Sequence, residues 1–476
     1  MVSPKKIATA FTLASVFPGT LALKVCTQIQ QAISSASAVY YPGSANYTAD
    51  VAHWVTSSID PSACTVEPGT AADVSTIIKL LGQTRTPFAV KGGGHATNPG
   101  WSSSPGVQIA MTRFNAVKYD KQKGTIAIGP GLIWDDVYPQ LEPYGVIPAG
   151  GRVPGIGVAG FTLGGGYNWL ANEVGLTVDT VLGYQLVQPS GDIISVTEAS
   201  NPDLFFALKG GYNNFGIVTQ FTFKAFTVGQ VWGGFVTYGT DQIAEFNAAF
   251  ADFAVNTTDP KAAIVAGYAV DDSGEPIVAN ILFYKDPSPP AGVFDKFLAI
   301  KNTTSDVGTR SVHSLVEATP QRYFDTLSFF EYTPAIIDAI VNETTFWGAR
   351  LAAFTNATVG YHVEPFMNTL LTHNTTATAW PFFRTKKFVP LQLQFTWTSP
   401  ADDTTMREFM EQSAAHLTNV ANKNGQAIQQ LPLYPNYGLF SSPAERIYGS
   451  NLPRLQAIKF HVDPHNVMGL AGGWKV

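Results

Sequence analysis

Cysteine is nearly missing from this chain. Two are present in 476 residues, Cys26 and Cys64, so at most one intramolecular disulfide can form, and at this length the chain is no small stapled module. Charge is scarce as well: 13% of residues are Asp, Glu, Lys or Arg, which excludes the composition that keeps chains disordered. Basic excess is lacking, with 29 Lys plus Arg against 35 Asp plus Glu and a net charge of −6, so no positive field gathers phosphate backbones and nucleic acid is excluded as a partner. Beyond Phe17 no apolar run is long enough to cross a bilayer, so no membrane is expected as a partner. Histidines are few, and His461 and His465 in the tail lack a third ligand, so no metal is expected. There is no repeat of fixed period and no low-complexity tract. What is abundant is hydrophobic residues, 45% of the chain, enough for two or three packed units with substantial cores.

The N-terminus reads Lys5-Lys6, then an apolar run from Ile7 to Phe17, then small residues to Ala22. That is the pattern of a secretory signal over 1–22. Asn-X-Ser/Thr sequons at Asn46, Asn256, Asn302, Asn342, Asn356 and Asn374 agree with N-glycosylation in a secretory lumen or secretion from it. In that oxidising compartment Cys26 and Cys64 either pair or stay as two buried thiols.

From residue 23 to 228 the chain is rich in Gly and β-branched residues. Strands are expected at Thr86–Lys91, Val107–Met111, Thr125–Ile128 and Val181–Pro189, and helices at Ala72–Gly82 and Trp134–Leu141. Between 229 and 425 glycine thins. Strand-like runs at Val231–Tyr238, Ile264–Val270, Ile277–Phe283 and Leu391–Thr398 alternate there with helix-like runs at Gln242–Val255, Pro334–Val341 and Thr404–Asn422, giving a second α+β domain. A third texture, rich in Tyr, Pro and Asn, fills 426–476, with a helix at Pro453–Lys459.

Gly155-Ile-Gly157-Val-Ala-Gly160, with Asp179 about twenty residues on, satisfies the dinucleotide fingerprint GxGxxG. The flanks argue against a nicotinamide site. Pro148, Gly150, Gly151 and Pro154 break an entering strand, and Gly164-Gly165-Gly166 would disrupt a leaving helix at about 1 kcal/mol each. What the glycines offer is bare main chain that an anion can approach closely. Two such loops, Lys91-Gly-Gly-Gly94-His95 and Gly150–Gly166, are able to hold a dinucleotide's diphosphate between them without a basic cluster.

Taken in order, Val90–His95, Gly150-Gly-Arg-Val153, Gly157–Gly166, Gly175-Leu176 with Asp179, Asp203–Gly211 through Asn214–Val218, and the tail motifs Tyr434-Pro-Asn436-Tyr437, Tyr448–Asn451 and Asp463–Val467 form one set. The set resembles the berberine-bridge-enzyme-like FAD-linked oxidases of the vanillyl-alcohol oxidase and p-cresol methylhydroxylase superfamily. Nearly the whole chain takes part. The resemblance implies an α+β fold: a PCMH-type FAD-binding domain of two α/β subdomains, split between 23–228 and the tail 426–476, and an antiparallel-sheet substrate domain, 229–425, with helices on one face. It implies FAD as cofactor, a Cys26–Cys64 disulfide, and an 8α-histidyl bond from His95 to the flavin. Cofactor contacts are implied for Gly92, Gly93, Gly94, His95, Gly151, Val153, Gly157, Gly160, Thr162, Leu163, Asp179, Ile217 and Asn436. Doubly linked members carry a cysteine where this chain has Val153, so a single covalent bond is expected.

The chemistry stands without the analogy: neutral imidazole is a competent nucleophile near pH 7, and a histidine flanked by glycines can lie against a cofactor. Such an enzyme takes hydride from a C–H beside O or N of a small molecule and returns the electrons to O2 as hydrogen peroxide. The resemblance lays the stretch from Tyr434 to Tyr437 over the ring, which makes Tyr434 the candidate base with Tyr437 as its catalytic neighbour. A tyrosine near pKa 10 must be lowered, or must act in concert with hydride loss. The run Trp380–Trp397 lacks an acid and leaves Gln392 and Gln394 as polar contacts. The substrate is expected to be a secondary metabolite. The alternatives are a carbohydrate oxidase and a flavin-binding protein without activity.

Overall fold

The structure, a computed structural model, describes residues 18–316, 324–374 and 376–476. The leader expected over 1–22 lies, up to residue 17, outside the described residues.

A helix, Pro18–Ala32, opens the described chain. Strands β1 (Ala38–Tyr40), β2 (Cys64–Glu67), β3 (Phe88–Lys91) and β4 (Val107–Ala110) form a four-stranded sheet in the order β1-β2-β4-β3. β4 runs parallel to both β2 and β3, so a crossover is needed between β2 and β3. The helix Ala71–Thr84 supplies it. Thr70 Oγ1 accepts from Asp73 N at its start, and Val74, Ile77, Ile78 and Leu81, at helical spacing, are buried. Gly82 does not end this helix, contrary to expectation. The left-handed turn falls on Arg85, φ +54°, whose guanidinium donates to His465 O at 2.7 Å. A Cβ at Gly82 would meet Val467 at 3.0 Å, so the glycine is the seat of the C-terminal tail rather than a cap. Cys26 of the first helix is joined to Cys64 of β2 by a disulfide.

β5 (Val117–Asp120), β6 (Thr125–Ile128), β7 (Val146–Ile147), β8 (Val181–Val187), β9 (Ile193–Val196), β10 (Ile217–Lys224) and β11 (Phe226–Thr227) follow. Five of them form an antiparallel sheet in the order β5-β6-β10-β8-β9, and β7 pairs with β11.

The second body is one sheet. β12 (Val231–Tyr238), β13 (Ala262–Val270), β14 (Pro276–Tyr284), β15 (Thr304–Ser305), β16 (Gly308–Arg310), β17 (Phe324–Phe329), β18 (Thr358–Val363) and β19 (Val389–Thr396) pair in the order β15-β12-β14-β13-β18-β19-β17, with β16 also on β12. Every pairing is antiparallel. Helices Ile243–Asn256, Pro334–Leu351 and Asp403–Lys423 belong to the same body. Pro334–Leu351 runs ten residues past its expected end at Val341, and Glu343 in the added stretch is satisfied inside the fold: it accepts from Trp347 Nε1 at 2.7 Å and Ser413 Oγ at 2.5 Å. The period of two along β18 turns Tyr361 to Ser413 on the helical side, and leaves Gly360, His362 and Glu364 facing a cavity.

Candidate functional site

A cavity of about 640 Å³ lies between the glycine loops of the first body and the open face of the second sheet. The first loop follows β3. Lys91, its last strand residue, is buried and donates through Nζ to Ala49 O and Asp50 O at 3.1 and 2.8 Å. Burial lowers its pKa, and its donors are committed to holding the loop rather than to an anion. Gly94, φ +71°, turns the chain, and its carbonyl accepts from Trp54 N at 3.0 Å. The turn brings the Trp54 ring parallel to His95, centroids 4.2 Å apart and planes 10° off. Burial pushes the His95 imidazole down to about 4, so the ring is neutral at pH 7 and fixed in plane by the indole.

The second loop meets the first through bare backbone. A Cβ at Gly93 would stand 2.5 Å from Gly157 Cα, and none could be fitted there. A Cβ at Gly160 would meet nothing within 4 Å, because Gly160 borders the open cavity. Gly157 begins a helix after all, Val158–Leu163, but it is six residues long and stops at Gly164, and the chain entering it from Ala149 is no strand. The glycine-edged space, the neutral imidazole at its wall and the unpartnered buried Tyr167 OH and Trp169 Nε1 lining it fit a large flat cofactor with a diphosphate held by main chain.

At the sheet side stands a pair that the sequence did not single out. Arg152, buried against the rings of Trp169 and Phe366, lies 2.5 Å from Glu364, just past β18. Burial opposes its charge most strongly of any single cause, but the facing carboxylate together with the Tyr437 and Tyr434 phenols outweighs this and holds the guanidinium pKa above its ordinary value. Tyr437 OH donates to the other Glu364 oxygen at 3.1 Å. Burial first, and then this carboxylate, push the Tyr437 phenol well above 10. Tyr434 differs. Its oxygen accepts from Asn436 Nδ2 at 2.8 Å and from Tyr167 N at 3.3 Å. Burial pushes it up to about 12, held from rising further by those two donors and by Arg152. Asn436 is itself held by donation to Phe161 O at 3.1 Å and by the Tyr212 hydroxyl on its Oδ1.

Of the residues expected at the site, Gly92, Gly93, Gly94, His95, Val153, Gly157, Gly160, Leu163, Ile217, Tyr434, Asn436 and Tyr437 line the cavity together, with Gln392 and Gln394 on its far wall. Gly151, Thr162 and Asp179 do not line it. Asp179 is consumed as an interdomain clamp: it accepts from Leu176 N at 3.0 Å, Asn374 Nδ2 at 3.1 Å and both Arg384 nitrogens at 2.8 and 3.2 Å. Gly151 turns its carbonyl to the Tyr138 hydroxyl at 2.7 Å, and Thr162 is sealed in the core. Trp54, Tyr167, His362 and Glu364 were missed. The one signal for the last two is His362-Val-Glu364, two polar residues at strand spacing in an otherwise apolar run.

Comparison with known proteins agrees with this geometry. Residues 62–197 match the family described as "FAD binding domain", and 433–471 the family described as "Berberine and berberine like". These two segments carry the two sides of the cavity that hold His95 and Tyr434. FAD-dependent monooxygenase sdcF of Emericella nidulans is 30% identical over 465 residues, 92% of this chain and 95% of that one. The chain belongs to the berberine-bridge-like family of FAD-linked oxidoreductases. FAD-dependent monooxygenase drtC of Aspergillus calidoustus is 38% identical over 269 residues, 55% of this chain, and the match spans about half of the relative, 51%. Among solved structures, the glucooligosaccharide oxidase of Acremonium strictum superposes with TM-score 0.74 at 19% identity, covering 94% of this chain and 97% of that one. Its description names a 6-S-cysteinyl, 8α-N1-histidyl FAD, and at this identity the likeness is one of fold. No described helix is long and apolar enough to cross a membrane, and the described residues hold no metal-binding cluster.

Proposed function

We propose that the protein is a secreted oxidase with one covalent bond, from His95, to FAD, acting on a C–H bond beside O or N of a small secondary metabolite. The observation that carries this is the composition of one cavity: glycine main chain and a neutral imidazole on one wall, and a hydrogen-bonded phenol beside a neutralised ion pair on the other. When bound, the flavin supplies the hydride acceptor and passes the electrons to O2, giving peroxide.

The residues of the chain do the rest. Trp54 holds the His95 ring in one plane, so its nucleophilic nitrogen is presented without rotational search. The neighbour with two protein links to its flavin has a sulfur contribution that Val153 cannot make, which supports a single link here. Tyr434 is the better base of the two tyrosines. The Asn436 and Tyr167 N–H groups and the Arg152 charge all favour its phenolate, whereas Tyr437 is bound to a carboxylate and keeps its proton. Glu364 neutralises Arg152 and orients Tyr437, so beside Tyr434 and Tyr437 the substrate meets an ion pair without net charge.

Acid-precipitated protein is expected to remain yellow, with a flavin mass on the peptide containing His95, and to release peroxide with one of a panel of sugars, alcohols and phenolics. Colourless precipitate with no adduct on that peptide would overturn the covalent assignment.

A further inference from the structure

The sheet wall of the cavity is hydrocarbon on one half and polar on the other, and the division follows strand order. On β12, β14 and β13 the strand residues facing the cavity are Phe235, Ile281, Val265, Ala279, Ile277 and Ala269, with one carboxylate, Asp272, at the rim in the turn between β13 and β14. Across the seam to β18 and β19 the same rows change character. Gly267 of β13 pairs with His362, and His362 with Gln392, while Ala269 pairs with Gly360, and Gly360 with Gln394. Glycine at the seam makes room for the ring: a Cβ at Gly267 would stand 2.9 Å from His362 Cδ2. Nδ1 of His362 is buried without a hydrogen-bond partner. Burial holds this imidazole down to about 4, so at neutral pH it presents one N–H donor and one acceptor but no charge. Arg152, the guanidinium lining the cavity, is already neutralised by Glu364.

A ligand that satisfies this wall must be two-sided. A sugar carries hydroxyls around its rim, and those turned toward Phe235, Ile281 and Ile277 would be dehydrated without partners. An anion finds no unspent guanidinium or ammonium among the described residues that line the cavity. We propose that His362, with Gln392 beside it, selects a flat, uncharged aromatic substrate bearing hydroxyl or carbonyl oxygen along one edge, its hydrocarbon face on β12–β14–β13 and its oxygen edge on β18–β19. This rests on the oxidase reading of the cavity and names the substrate class for it.

Calorimetric titration of the purified holoprotein with 1-naphthol, naphthalene, 1-naphthoate and cellobiose tests the proposal without turnover. 1-Naphthol is expected to bind about tenfold tighter than naphthalene and than both the carboxylate and the disaccharide. In His362→Leu the preference for 1-naphthol over naphthalene falls below about twofold, and His362→Gln keeps most of it. If His362→Leu does not fold, Gln392→Leu reads the same loss. Cellobiose or 1-naphthoate binding as tightly as 1-naphthol, no binding of 1-naphthol, or an undiminished preference in the leucine variants overturns the proposal. The visible spectrum of the same samples separates the two readings: yellow protein without the preference sinks this inference alone, and colourless protein that keeps it sinks the oxidase assignment alone.

Discussion

Replacing Tyr434 by Phe removes one oxygen and tests the proton path directly. That oxygen accepts two N–H groups, from Asn436 and Tyr167, and sits within the field of Arg152. With the phenol pushed up to about 12, roughly one molecule in 10⁴ carries the phenolate at pH 8. The base must be deprotonated to act, so kcat/KM rises with pH, about tenfold per unit, while pH stays well below that pKa. In Tyr434→Phe the rise disappears and flavin reduction slows by about 10² to 10⁴. The variant also leaves Tyr167 N–H buried without its acceptor, a cost of about 1–3 kcal/mol, whereas the Asn436 amide keeps Phe161 O. Anaerobic stopped-flow reduction with the best substrate from a peroxide screen, run across the alkaline range, reads rate and slope together. Flavin content and melting temperature control for folding. Reduction within about threefold of the parent protein, or a pH slope that survives the substitution, would show that another group takes the proton.

His95→Ala is expected to abolish acid-stable flavin while Val153→Ala leaves it in place, as read by the mass of the relevant peptides. Retention of an adduct in His95→Ala would move the linkage elsewhere. Glu364→Gln strands the buried Arg152 charge and should cost about 3–5 kcal/mol in urea unfolding, much of it restored by adding Arg152→Met, and a loss below about 1 kcal/mol would mean that water reaches the pair. Cys64→Ser opens a loop of 38 residues and is expected to lower stability by about 2–4 kcal/mol, the chain-entropy value for that length lying near the top of the range. An unchanged unfolding midpoint in reducing and oxidising buffer would refute it.

Much of the scaffold was legible in one dimension. The helix Ala71–Thr84 declares itself in the spacing of Val74, Ile77, Ile78 and Leu81, and four strands of the second sheet in runs of which β12 keeps its expected ends and β13, β14 and β19 are lengthened or shifted by one or two residues. Element ends were less secure wherever a distant partner set them: Gly82 reads as a stop and serves as the seat of Val467, and the helix expected to end at Val341 continues through Glu343, which is satisfied by Ser413, seventy residues on.

The glycines of both loops, the histidine between them and the missing thiol at Val153 are local properties. Backbone reach, nucleophile type and absence of sulfur depend on residue identity alone, so the linear chain settles them. Which polar groups share the cavity depends on sheet register and on how two bodies meet. Arg152 comes from a loop of the first body, Glu364 from the end of β18 and Tyr437 from the tail, and no spacing joins them. The same packing withdrew Asp179, which matched a motif by position but satisfied its charge on Arg384. A buried carboxylate goes to whichever donors surround it, and those are chosen by tertiary contact.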